Sequence, residues 1–140
     1  MREILFRGQL RRKGEKVNMA GEPLPSIWKY GGVSQIKPGG AVIYQTEPEI
    51  KKYPVYGDTV GQYTGLKDKN GVKIFEGDII KSTETEEVAV VQWFEEHSAF
   101  MACIPSLHDV GYIGEVEPEI IEVIGNVYDN QELLGGDEDA

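Results

Sequence analysis

Seventeen glycines and seven prolines punctuate this 140-residue chain, and they limit what it can fold into. Proline removes a backbone donor, and glycine weakens helix and strand interiors alike. Long helices are disfavoured, and many short strands joined by turns are expected. Helical and strand patterns do not alternate as βαβ units require, so a doubly wound parallel sheet is not expected. The length suits one domain, or one domain with an appendage. An apolar fraction of 40% allows a modest core.

Residues 2–8 (REILFRG) read as a first strand, with Ile4 and Phe6 on one face. A hairpin loop around Gly14 follows. Pro23 and Pro25 break any ladder. Ile27, Trp28 and Tyr30 form an aromatic cluster before Gly31-Gly32, KPGG at 37–40 turns the chain, and AVIYQ at 41–45 is a strand. Pro48 and Pro54 make 47–56 a loop or irregular edge, with room for one helical turn after Pro48.

Beyond Val60 the pattern is cleaner. Residues 60–63 and 72–75 are strands flanking a turn, where Asn70 and Gly71 both tolerate positive φ. Gly77-Asp78 opens the strand at 79–81, with Asp78 expected to satisfy turn amides rather than act as a base. Residues 88–94 are apolar on both sides, as a central strand would be. A turn at 95–98 leads to a strand at 99–104, then a long loop at 105–119. The last strand, 120–127, carries a bulge at Gly125-Asn126. Asn130 can cap a final helical turn at 131–134, and 135–140 (GGDEDA) reads as a disordered acidic tail. The expected fold is mainly β. A small, partly open SH3-like barrel occupies about 60–128, within a unit 60–134. A β/loop subdomain, 1–59, packs on it or on a neighbouring subunit.

Charge is uneven along the chain. Residues 1–70 hold twelve Lys/Arg against seven Asp/Glu, whereas residues 71–140 hold two against seventeen. Solvated faces and an attraction between the halves explain this, and so would a binding surface. Arg7, Arg11, Arg12, Lys13 and Lys16 could line a basic hairpin touching phosphates, though without interleaved aromatics. The acidic half could instead mimic DNA and occupy a host protein. Trp93, Phe94 and Phe100 are candidates for a peptide groove, against the commoner fate of core packing.

Catalytic patterns are weak. His97 and His108 stand eleven residues apart, with the single cysteine, Cys103, between them. Structural zinc sites use closely spaced ligand pairs, which this arrangement lacks. Ser98 and Ser106 sit near the histidines without a nucleophile motif. The pairs Glu86-Glu87 and Glu95-Glu96 are adjacent, and strand neighbours point to opposite faces. No enzyme, metal or cofactor is expected. One cysteine fits a reducing compartment, and no apolar run reaches membrane-spanning length, so a cytoplasmic location is expected.

The stretch QYTGLKDKNGVKIFEGDIIK (62–81) resembles the central signature of the YopX family, small proteins of phages and prophages. REILFR at 2–7 is similar to the family's opening REIKFR-like strand. Residues 124–134 (IGNVYDNQELL) are similar to its IGN-[IV]-Y-[ED]-N-PELL-like ending, with Gln131 where proline is typical. Residues 8–59 fit the pattern poorly. The resemblance implies a phage or prophage accessory protein and a homo-oligomer. It implies no catalytic residues.

Overall fold

The computed structural model describes residues 3–11, 19–22, 24–37, 40–105, 109–115 and 117–134. Among the described residues the fold is mainly β, with two antiparallel sheets and only short 3-10 turns as helix. Two compact units emerge, one of residues 4–62 and one of residues 1–3 with 63–140.

The N-terminal unit contains β1 (Phe6–Gln9), β2 (Trp28–Lys37), β3 (Gly40–Gln45) and β4 (Lys51–Val55), hydrogen-bonded in the order β4-β3-β2-β1. β5 (Gly61–Lys67) begins here, with Gly61 and Gln62 pairing with Arg7 and Phe6. The sheet curls until Leu10 bridges Val55, the Arg11 amide donates to the Pro54 carbonyl at 2.9 Å, and the Tyr56 amide to the Gln9 carbonyl at 2.9 Å. The small core inside the curl is Ala41, Ile43 and Val55, packed by Phe6, Val33 and Val60. Glycine makes the curl tight. A Cβ on Gly8 would stand 2.8 Å from the Val55 side chain, and one on Gly31 would stand 2.1 Å from the Tyr44 carbonyl oxygen.

In the C-terminal unit, β5 continues into a hairpin with β6 (Lys73–Phe75). A five-stranded sheet follows, built from β7 (Asp78–Ser82), β8 (Val88–Phe94), β9 (Ala99–Ile104), β10 (Asp109–Tyr112) and β11 (Ile121–Asn126). Its order is β10-β9-β8-β7-β11. One face carries the main core, with Ile74, Ile80, Val91, Phe100, Ile113 and Ile121 buried together. The 3-10 turn Gln131–Leu134 approaches β8.

Several expectations change. The sheet is open: β10 and β11 are its two ends and do not pair, so no closed barrel forms among the described strands. Within 47–56 the edge alternative applies to Lys51–Val55, where β4 runs along β3 at the end of the sheet order, while 47–50 stay outside the strand; Pro54 is tolerated because its carbonyl, not a missing amide, makes the bond to Arg11. The Trp28–Tyr30 cluster opens a ten-residue strand through the two glycines. The expected loop at 105–119 contains β10 and 3-10 turns at Ile113–Glu115 and Pro118–Ile120. Ile4 does not share the core with Phe6; it is 70% exposed, ahead of β1. β8 is central, but only Ala89, Val90 and Val91 are buried, and its far end is open. Among the described residues no helix is long and apolar enough to cross a membrane.

Candidate functional site

The C-terminal unit opens a cleft of about 260 Å³ at one end of its main core. β7, β8, β9 and β11 supply an apolar floor of Ile80, Ala89, Ala102 and Ile121. The register explains the opening: Ile80 pairs with Ala89, and two alanines on adjacent strands leave volume that larger side chains would fill. Glu84 and Glu87 stand at the rim beside Lys81. Such a site can take an apolar group by burial and a cation by attraction at its edge.

The three aromatic candidates separate. Phe100 is buried in the main core. Trp93 pairs across the strands with it, edge to face at 5.0 Å, yet remains 41% exposed. Its indole Nε1 donates to Glu95 Oε1 at 3.4 Å. Phe94 points to the opposite face, as strand neighbours must, and stacks near His97 at 6.3 Å. The three do not line one groove.

The candidates for chemistry do not converge either. His97 meets Tyr112, whose hydroxyl lies 3.3 Å from Nδ1. The Cys103 thiol donates to Gln92 Oε1 at 3.5 Å, and burial pushes its pKa up, away from thiolate. Ser98 is a left-handed residue ending the 3-10 turn Glu95–His97. His108 and Ser106 lie outside the described residues. Among the described residues, no three His, Cys, Asp or Glu side chains gather in a metal-holding group.

Of the basic candidates, Arg12, Lys13 and Lys16 lie outside the described residues. Arg11 is exposed just past β1. Arg7 is 6% exposed, with its guanidinium 4.7 Å above the Trp28 ring. The structure therefore places an aromatic against this cation, which reading the chain as a linear basic hairpin did not foresee.

The turn residues have distinct roles. Gly71 takes φ 80° and Gly77 φ 94°, whereas Asn70 has no positive φ. Asp78 accepts from the Phe75 amide at 2.7 Å. Gly125 leaves room for Asn130, whose Oδ1 accepts from the Asn126 amide at 3.1 Å. The register shift falls between Val123 and Gly125. The residue that sequence reasoning missed is Asp68. Its Oδ1 accepts from the amides of Asn70 at 2.8 Å and Val72 at 2.9 Å, and its Oδ2 from Val123 at 3.0 Å, tying the β5–β6 turn to β11. Burial is the largest influence and works against its charge. The amides of Val123, Val72 and Asn70, with the Lys69 charge, outweigh it and hold the carboxyl below the ordinary 3.8. An Asp two residues before Asn-Gly is the signal that could have revealed it.

The crystal structure of YopX from Bacillus subtilis is similar in fold, with a TM-score of 0.52 and 22% sequence identity, covering 99% of this chain and 100% of that one. No curated protein matches. The family model described as YopX protein matches residues 33–135, and the chain belongs to that family.

Proposed function

We propose that this chain is a non-enzymatic, homo-oligomeric interaction module, a phage or prophage accessory protein of the bacterial cytoplasm. The cleft in the C-terminal unit carries the reading. An apolar floor of Ile80, Ala89, Ala102 and Ile121 beneath Glu84 and Glu87 suits a protein segment that offers an aliphatic side chain beside Lys or Arg. Such a segment gains burial from its apolar anchor and orientation from its cation, and no bond need be made or broken. The β7–β8–β9 meander, with β11 returning onto β7, supports viewing this sheet as an opened SH3-like barrel used for peptide recognition.

Fluorescence anisotropy with labelled Lys-Leu and Arg-Ile peptides tests the cleft. Binding is expected to fall on charge reversal of the exposed Glu84 and the half-buried Glu87. No binding up to about 100 µM, a level of negligible affinity, would overturn the reading, as would binding indifferent to the reversal. Light scattering tests the assembly, since a species of only 15.6 kDa at micromolar concentration excludes the oligomer.

A further inference from the structure

The four strands β1 to β4 contain five Lys/Arg and no Asp or Glu, in a chain whose net charge is −10. Their register sorts the side chains. Arg7 pairs with Tyr30, Gln9 with Trp28, Gly32 with Tyr44, and Tyr44 with Lys52. Because side chains alternate along strands, Arg7, Trp28, Tyr30, Tyr44 and Lys52 share one face, opposite the small core inside the curl. On this face Tyr30 and Lys52 are exposed, Trp28 and Tyr44 are half-buried, and Arg7 is buried against Trp28.

The rings are held in place. Arg7 lies against Trp28 at 4.7 Å. A Cβ on Gly32 would come within 2.6 Å of the Tyr44 ring, so that ring lies across the bare backbone of Gly32. Tyr30 is 49% exposed and Lys52 is exposed.

We propose that this face is a platform for single-stranded DNA. Exposed rings on a sheet stack on unpaired bases, and neighbouring lysines neutralise phosphates. Trp28 and Tyr30, two residues apart on one strand, are spaced by about 7 Å, roughly twice the 3.4 Å step per nucleotide of a duplex. That interval matches an extended strand whose bases have left their own stack, and it does not match a duplex. Stacking and phosphate contacts read no base edge, so binding is without sequence preference. The overall charge does not forbid this, because at about 0.1 M salt fields fade within about 10 Å and the acid-free strands dominate locally. The site is independent of the cleft proposed above, which lies in the C-terminal unit.

Fluorescence anisotropy of the full chain with a labelled oligo-dT of about 15 nucleotides, the upper range for one small β-module, tests the platform. Binding at low salt is expected, weakening as salt rises. Tyr30→Ala and Lys52→Glu are each expected to weaken it about tenfold, with unchanged thermal melts because both side chains are exposed. Charge reversal of Glu84 and Glu87 should leave it intact. No binding, retention by the Tyr30→Ala/Lys52→Glu double variant, or tighter binding of a duplex or an equal-length RNA would overturn the proposal.

Discussion

The two units of this chain solve the same problem in different ways. Among the described residues of 4–62 the buried core is Ala41, Ile43 and Val55 with partly buried neighbours, and glycine does much of the work. Gly8 admits Val55, Gly31 admits the Tyr44 backbone, and Gly57 lies against Gly40. In residues 63–134 a larger cluster of Ile, Val and Phe fills one sheet face, and a buried carboxylate fastens the hairpin to β11. A sheet with few apolar side chains can still bury backbone by close approach, provided no Cβ intervenes. A sheet with ample apolar residues can hold a charged group inside, provided amides surround it. The electrostatics follow the same division, with acid-free strands in one unit and a concentration of Asp and Glu in the other half of the sequence.

The largest expected effect is at the carboxylate. Asp68→Ala removes an acceptor from the Asn70, Val72 and Val123 amides and is expected to cost about 4 kcal/mol. Hydrogen exchange should show the loss concentrated in 63–134; loss confined to 4–62 would break the contrast. Gly31→Ala is the counterpart. Its Cβ would fall 2.1 Å from a carbonyl oxygen, and the backbone must shift, at a cost of about 3 kcal/mol. Thermal unfolding measures the size, and exchange should place it in 4–62. Gly8→Ala meets only the Val55 side chain, at 2.8 Å, and about 1–2 kcal/mol is expected in chemical denaturation.

A smaller effect separates charge from shape. The Asp68 carboxyl is held below its ordinary 3.8, so its stabilisation is complete above that value. It is lost as pH falls through the depressed folded value. Acid titration followed by circular dichroism should show a shallower loss of stability below pH 3.8 in Asp68→Asn than in the parent. An identical slope would mean that the charge is not what the amides hold. The smallest change is Trp93→Ala. The ring is 41% exposed and makes an edge-to-face contact with Phe100, so a loss of about 1 kcal/mol or less is expected, measured by thermal unfolding.

Legibility differed between the units for physical reasons. From β5 onward, apolar alternation and specific turn residues coincide. Strands at 88–94 and 99–104, the 95–98 turn and the 131–134 helical turn all follow from local pattern. The bulge was read near Gly125, and the shift lies between Val123 and Gly125. In the N-terminal unit local signals mislead. Gly31-Gly32 looks like a break but permits close strand packing, and Pro54 looks like a breaker but sits with its carbonyl in use. β10 escaped notice because DVGY is short and lies among turn residues. The site was less legible still. Trp93, Phe94 and Phe100 are near one another in sequence, but strand parity and burial divide them. Trp28, Tyr30 and Tyr44 were not joined to Arg7 or Lys52, since only register places them on one face.

The sequence by itself determined a β-rich chain, the family signature at 62–81, and the segregation of charge, because these depend on composition and short-range pattern. The tertiary structure decided the rest. Sheet order left the C-terminal sheet open and made two alanines neighbours in a cleft. Long-range pairing gave Asp68 its third amide, from Val123, and bridged Leu10 to Val55 by register, not by local pattern. Those long-range choices depend on how side chains fit when distant strands meet, and no local window of sequence contains that information.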